Sequence, residues 1–318
     1  MSSIDIVIPN YNYARFLPAC VGSVQAQDHC DIRILIVDNA STDDSVAVAR
    51  ALAASDNRIE VSAHEFNLGP HASINEGLDW ARSDYLIVLC ADDMLAPGAL
   101  SSAAFILDQS PQVAMAYGAY ETVTTTPNAR LAEPHPSFAI ENGNDFITRF
   151  CGKMVLTVAP VIRTSAQKAV GHYRPEIFHT DDLEMLLRIA TVGAVAETKS
   201  ITAFQRWHGA NLSLITSADA VARWHEEAGL FQSFFAHEGA HLPHREACER
   251  LARQSLSARA YCSALSQLCR GNFAAAYAVM KFSLTTAPRN ALLPPLGQLR
   301  HIDAPLARVL KLLRPRSI

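Results

Sequence analysis

No stretch of the sequence approaches the roughly 18 consecutive apolar residues that a membrane-spanning helix requires, so any contact with a membrane is expected to be peripheral. No charged segment followed by an apolar run opens the chain. Met1-Ser2-Ser3 passes straight into Ile4-Asp5-Ile6-Val7-Ile8, and a cleaved secretory signal is not expected. The seven cysteines (20, 30, 90, 151, 248, 262, 269) are odd in number, contain no CxxC pair and lack the short Cys/His spacings of a zinc site. Reduced thiols in a cytoplasmic setting are the expectation. No GxGxxG follows the first strand-like run, which argues against a dinucleotide oxidoreductase. Pro9 to Tyr13 holds neither Gly nor Lys, so the Gly-rich basic loop of a nucleotidyltransferase is missing as well.

What remains is ample apolar material: 49% of the 318 residues are hydrophobic and only 18% charged, which excludes disorder as the dominant state. The formal charge of −4 argues against a general nucleic-acid binder. That value conceals an asymmetry. Residues 1–216 carry 14 basic and 24 acidic side chains, whereas residues 217–318 carry 13 and 7, with the basic excess falling after Gly271.

The first hundred residues alternate between strand-like and helical apolar spacing, the pattern of parallel strands joined by crossover helices. Strands are expected at Ile4–Ile8, Ile32–Val37, Ile59–Ala63 and Tyr85–Cys90, and helices from Phe16 to Val24, Val46 to Ala54 and Ala72 to Ala81. Asn39 to Asp44 supplies a turn and a helix cap. Each strand delivers a polar residue at its carboxyl end, where open parallel sheets bind ligands, so Asp38, Asn67, Asp92 and Asp93 should converge. Further on, Val113–Tyr120 reads as a strand and Leu183–Val192 as a helix. Beyond residue 216 nearly everything reads as helix, with a pair at 251–270 and 273–286 joined by Gly271-Asn272. The division expected is 1–216 catalytic and 217–318 helical. Asp92-Asp93, directly after an apolar strand, suits a hard divalent cation that also grips a diphosphate; capping of the next helix is the simpler alternative.

The motifs together resemble glycosyltransferase family 2, the inverting group with the GT-A fold. Ile6 to Asn12 is similar to its opening strand and nucleotide loop, and Val37 to Asp43 to its second motif. Asn67-Leu68-Gly69-Pro70 with Asn75 and Gly77 resembles the third, and Ala91-Asp92-Asp93 with Pro97-Gly98 the metal-binding region. Asp181 to Arg188 resembles the acidic pair and helix that carry the base, and Arg206-Trp207-His208 with Asn211 and Ser213 the segment that closes the site. The resemblance covers about residues 4–213. It implies a mostly parallel α/β GT-A sheet flanked by helices, here with a C-terminal helical extension. It also implies a nucleoside-diphosphate sugar donor, UDP by default, Mn2+ or Mg2+, and a glycan or lipid-linked acceptor. Carried over, Pro9, Tyr11, Asn12 and Asp38 would meet the nucleotide, with Asn67 beside them. Asp92 and Asp93 would hold ribose, metal and diphosphate, Asp181 would bind substrate, and Asp182 would be the base, in preference to Asp181. The family often has Asp where Cys90 and Asn39 stand and Gly where Ala40 stands, and its acidic pair is commonly Glu-Asp.

Several residues keep two readings at this level. His208 contacts diphosphate or metal, or else packs under Trp207; Arg206 neutralises phosphate or makes a surface ion pair. His237, His241 and His244 have metal-ligand spacing, but Pro243 interrupts them and a solvated face is favoured. Glu184 and Arg188 read as a helix-stabilising pair. Pro305 to Arg314 places Leu306, Val309, Leu310 and Leu313 on one face and Arg308 and Lys311 on another. That helix either docks on the protein or a second subunit, or else lies on an anionic membrane, giving 271–318 a peripheral contact at the inner face of the cell membrane. A sugar-nucleotide-binding protein without turnover is the alternative function, against which Asp181 and Asp182 speak.

Overall fold

The computed structural model describes residues 2–28, 31–127, 137–209, 211 and 220–291. From the amino terminus run β1 (Ile4–Asn10), α1 (Leu17–Gln25), β2 (Ile32–Asp38), α2 (Ser45–Ser55), β3 (Ile59–Ala63), α3 (Pro70–Trp80) and β4 (Tyr85–Val88). There follow β5 (Met94–Leu95), α4 (Ala99–Gln109), β6 (Val113–Val123), β7 (Phe138–Glu141), α5 (Gly143–Gly152), β8 (Val161–Arg163), α6 (Thr164–Val170), α7 (Asp181–Ala190) and β9 (Ala194–Arg206). Three α-helices follow, α8 (Ala222–Ala236), α9 (Arg245–Cys269) and α10 (Phe273–Thr286), with short 3-10 helices at Glu238–His241 and Pro288–Ala291.

Two compact units result. The first comprises Met1–Phe146, Val155–Glu176 and Met185–Gly209; the second comprises Ile147–Met154, Ile177–Glu184 and the described part of Ala210–Ile318.

The first unit is built on one sheet in the order β3-β2-β1-β4-β8-β6-β9-β5, with β7 also paired to β9. β1 to β4 are mutually parallel, β8 lies antiparallel to β4 and β6, and β6 runs parallel to β9. Strands β1 and β2 read as near-continuous apolar runs because helices cover both faces of a parallel sheet. Ile4, Ile6 and Ile8 are fully buried with Ile34 and Ile36, and α1 adds Leu17, Cys20, Val21 and Val24 to that core. One glycine is demanded by packing: a Cβ at Gly77 of α3 would lie 2.0 Å from Val7 Cγ1. At the amino-terminal edge the buried Asp5 accepts two bonds from the Arg33 guanidinium (2.9 and 2.7 Å), one from the Ser83 hydroxyl, and the backbone N–H groups of Arg82 and Ser83. That carboxylate is compensated on every side, as a charge without solvent must be.

In the second unit, Trp224 of α8 packs with Leu256, Ala260 and Ala264 of α9 and Val279 and Phe282 of α10. Glu227, also buried, is held by Arg259 at 2.6 Å. Between α9 and α10 the Ser257 hydroxyl donates to the Ser283 carbonyl, the Ser283 hydroxyl returns a bond to Ser257 O, and Asn290 donates to Ser257 Oγ.

The expected elements are present with shifted edges. β4 stops at Val88 rather than Cys90, because the chain turns there and Asp93 N–H donates to Cys90 O at 3.0 Å. α7 starts at Asp181, so the acidic pair forms its first turn, and α9 begins at Arg245 rather than 251. Glu184 and Arg188 are buried rather than a surface pair: Glu184 accepts from the Ser233 hydroxyl, and Arg188 donates to the carbonyls of His172 and Val170. Ser213 and the helix expected from Pro305 to Arg314 lie outside the described residues.

Candidate active site

The carboxyl ends of β1 and β2 carry a layer of interlocked loops. Asp38 has no open surface, and its oxygens accept from Ser41 N–H (2.9 Å), the Ser41 hydroxyl (2.7 Å) and the Asn10 amide (2.7 Å). These bonds make Asp38 the group that ties the two loops together at the strand end. Asn12 does the same from the other side. Its Oδ1 accepts from the N–H groups of Thr42 and Asp43, and its own N–H donates to Ser41 Oγ. Both Asn12 (φ 57°) and Ala40 (φ 60°) occupy the left-handed region. Asn tolerates it, whereas Ala pays a steric cost there that Gly would not. Tyr11 stands 44% exposed above this layer, and Pro9 is half-buried beside it.

Asn67 is reached through Asn39, whose amide donates to Asn67 Oδ1 at 3.0 Å while its oxygen accepts Leu68 N–H. His64 bridges the same Asn39 oxygen and Glu76, at 3.1 and 2.6 Å. An uncharged Asn39 thus serves as a hinge pin for the loop that opens α3 at Gly69 (φ 85°) and Pro70. Within the turn expected to cap α2, Asp43 supplies the carboxylate that accepts Ser45 N–H.

Beyond β4, Cys90, Asp92 and Asp93 bring a thiol and two carboxylates within 4.8 Å of one another, the one group of three such ligands among the described residues. Both carboxylates are buried, whereas Cys90 is exposed. Pairing of β5 with the last residues of β9 lays Arg206 against this cluster. Its N–H donates to Asp93 Oδ1 at 2.9 Å, its Nε to Asp92 O at 3.0 Å, and its guanidinium covers the Phe16 ring at 5.2 Å. Arg206 is therefore a buried wall of the cluster and not a surface ion pair. His208 Nε2 lies 3.1 Å from Asp92 Oδ2, with its ring stacked on Phe16 (4.4 Å) and edge-on to Tyr13 (5.5 Å). It packs on those rings, not beneath Trp207, which is 45% exposed.

Burial raises both carboxyls. For Asp92 the His208 bond partly offsets it, whereas the Asp92 charge adds to it at Asp93, pushing Asp93 up to about 7. Burial and the same acidic neighbours raise the Tyr13 phenol as well. Two desolvated carboxylates beside a thiol, raised by burial even with Arg206 alongside, form a donor set that fits a divalent cation. Neither Tyr13 nor Phe16 was flagged by sequence, since aromatic residues at helical spacing carry no mark of the ring they will support.

In the second unit, Asp181 and Asp182 open α7, where the helix terminus favours negative charge. Asp182 keeps open surface, and its Oδ1 accepts Leu183 N–H at 2.7 Å. Desolvation by the surrounding protein and the neighbouring Asp181 charge raise its carboxyl, and the Leu183 N–H bond opposes them. His237 bonds the Ser233 carbonyl and caps α8, so the histidine trio forms no ligand cluster.

The sheet order and the acidic turn after its fourth strand are those of the GT-A architecture. S. aureus TarS 1–349 in complex with UDP-GlcNAc matches with a TM-score of 0.62 at 14% identity, over 98% of this chain and 82% of that one. The mannosyltransferase PcManGT from Pyrobaculum calidifontis, in complex with GDP-Man and Mn2+, matches with a TM-score of 0.58 at 15% identity, over 99% and 88%. Residues 5–158, just under half of the chain, match the model of Glycosyl transferase family 2, so this segment is similar to that family. Among its relatives, the GalNAc(5)-diNAcBac-PP-undecaprenol beta-1,3-glucosyltransferase of Campylobacter jejuni is 33% identical over 103 residues, covering 32% of this chain and 33% of its own. An uncharacterized glycosyltransferase of Nostoc is 32% identical over 149 residues, 44% and 46%. The matched stretch thus spans between a third and a half of these relatives' length.

Proposed function

We propose that the protein transfers a sugar, with inversion, from a nucleoside-diphosphate donor to a hydroxyl of a glycan or lipid-linked acceptor. The observation that carries this reading is the buried Asp92/Asp93 pair beside Cys90, walled by Arg206 and His208, within the segment that matches the family. In this reading Tyr11 stacks on the nucleotide base and Pro9 lines it, while Asp38, Asn12 and Asn67 hold the loops that set their height. Asp92 and Asp93 would hold Mn2+ or Mg2+ with Cys90 beside them. When bound there, the cation supplies positive charge to the departing diphosphate. His208 orients Asp92, and Arg206 fixes Asp93 while adding its own positive charge. Asp182 takes the proton from the attacking acceptor hydroxyl as the new bond forms, a task suited to a carboxyl whose pKa is raised.

UDP as donor is supported by the TarS complex and a guanine nucleotide by the PcManGT complex. A lipid-linked acceptor is supported by the C. jejuni relative, whose name specifies an undecaprenol-linked substrate. The test is a panel of UDP- and GDP-sugars scored for Mn2+-dependent thermal stabilisation, then for nucleoside-diphosphate release, with the anomeric configuration of the product read by NMR. One nucleotide series should stabilise and turn over with inversion. Retention of configuration, or no stabilisation by any sugar nucleotide, would remove the proposal.

A further inference from the structure

The second unit ends in a helical hairpin whose turn carries unusual surface. Gly271 (φ 79°) reverses the chain, and around it Leu265, Leu268, Phe273 and Tyr277 remain 36%, 49%, 70% and 72% exposed among the described residues. Phe273 and Tyr277 are one turn apart on α10, and Lys281 continues the same stripe a turn further on, while Arg270 sits in the turn itself. Neither Arg270 nor Lys281 has a side-chain partner among the described residues.

Charge is segregated along the hairpin. No acidic residue occurs from 250 to 302, a stretch holding seven Lys and Arg. The acidic residues of α9, Glu246 and Glu249, lie in its first two turns, about 30 Å from the turn end at 1.5 Å per residue. There Glu249 pairs with Arg245 at 2.7 Å and Glu246 with Arg250 at 3.6 Å. Aromatic rings that are half apolar and half polar, next to basic side chains long enough to keep their charge in water, match the boundary between headgroups and acyl chains. The absence of carboxylates from the turn half of the hairpin itself removes one source of the repulsion that an anionic surface would otherwise meet. No helix among the described residues is long and apolar enough to cross a membrane, so such a tip would rest on the surface.

We propose that the turn end of the α9–α10 hairpin is a membrane-docking element that seats Phe273, Tyr277, Leu265 and Leu268 in an anionic lipid surface, with Arg270 and Lys281 at the headgroups. The proposal does not depend on the transfer reaction, because docking is measured without donor or acceptor.

Sedimentation of the full chain with phosphatidylglycerol/phosphatidylcholine vesicles, and with phosphatidylcholine vesicles alone, tests it. The wild type should partition onto the anionic vesicles and only weakly onto the neutral ones. Phe273→Ser/Tyr277→Ser should lower the anionic partition by roughly tenfold or more. A second variant, Arg270→Ser/Lys281→Ser, should lose about tenfold on anionic vesicles and little on neutral ones. The proposal is overturned if the wild type binds neither vesicle, or if both variants bind as the wild type does, which would put the anchor elsewhere, for example in residues 292–318. It is equally overturned if the aromatic variant turns a dimer into a monomer in sedimentation velocity with vesicle binding unchanged, since the patch would then be an interface between copies.

Discussion

Replacing Asp93 by Asn should stabilise the metal-free protein at neutral to alkaline pH and abolish its response to divalent cations. Burial and the adjacent Asp92 charge push the Asp93 carboxyl up to about 7 from an ordinary 3.8. Below about pH 4 the group is protonated in both folded and unfolded states and contributes nothing. As pH rises from about 4 to 7 the unfolded chain ionises first, so stability falls, and above 7 the whole cost is present. A shift of roughly three units at about 1.4 kcal/mol each amounts to about 4 kcal/mol. Asn removes the charge and its Oδ1 can still accept the Arg206 N–H, and the attraction of the Arg206 guanidinium is already contained in the raised pKa. A net gain of up to about 4 kcal/mol near pH 8, vanishing near pH 4, is therefore expected. Urea unfolding in EDTA at both pH values measures it. A parallel series with Mn2+ should stabilise the wild type and leave the variant unmoved. Equal stability of the two proteins near pH 8, or the same gain at both pH values, would refute the idea that this pair stores repulsion for a cation to relieve.

Two further substitutions separate scaffold from site. Gly77→Ala drives a methyl into Val7 and should cost about 2 kcal/mol or more in urea unfolding while leaving sugar-nucleotide selectivity unchanged; a neutral effect would mean that α3 and β1 can separate cheaply. Asp5→Ala strands the partly buried Arg33 and two backbone N–H groups, and thermal unfolding should register a loss of about 3–5 kcal/mol with no change in Mn2+ response. A loss under 1 kcal/mol would show that water satisfies those donors.

The parallel half of the fold was legible because β1, β2 and β4 are apolar runs that end in polar residues, and the period of each crossover helix is clean. Asp92 and Asp93 stand out for the same reason, although capping of the next helix is the simpler reading of the pair alone and only the other motifs favour a cation. Arg206 and His208 kept two readings in sequence because their roles depend on β9 reaching β5, a pairing between residues about a hundred positions apart that no local pattern encodes. Asp38 illustrates the opposite case. Its position at a strand end points to the ligand, but its second task of tying the loops shows only in the hydrogen bonds from Ser41 and Asn10. The burial of Glu184 and Arg188 was likewise hidden, since an i, i+4 charged pair looks the same on a solvated face and on a packed one.

The assignment of Asp182 as the base is the centre of the account, and one variant addresses it. For Asp182→Asn, donor affinity by calorimetry and transfer by nucleoside-diphosphate release should be measured on one preparation. The account predicts donor affinity within about twofold of wild type and transfer lowered by a factor of about 100 or more. Transfer at the wild-type rate, with binding intact, would contradict it.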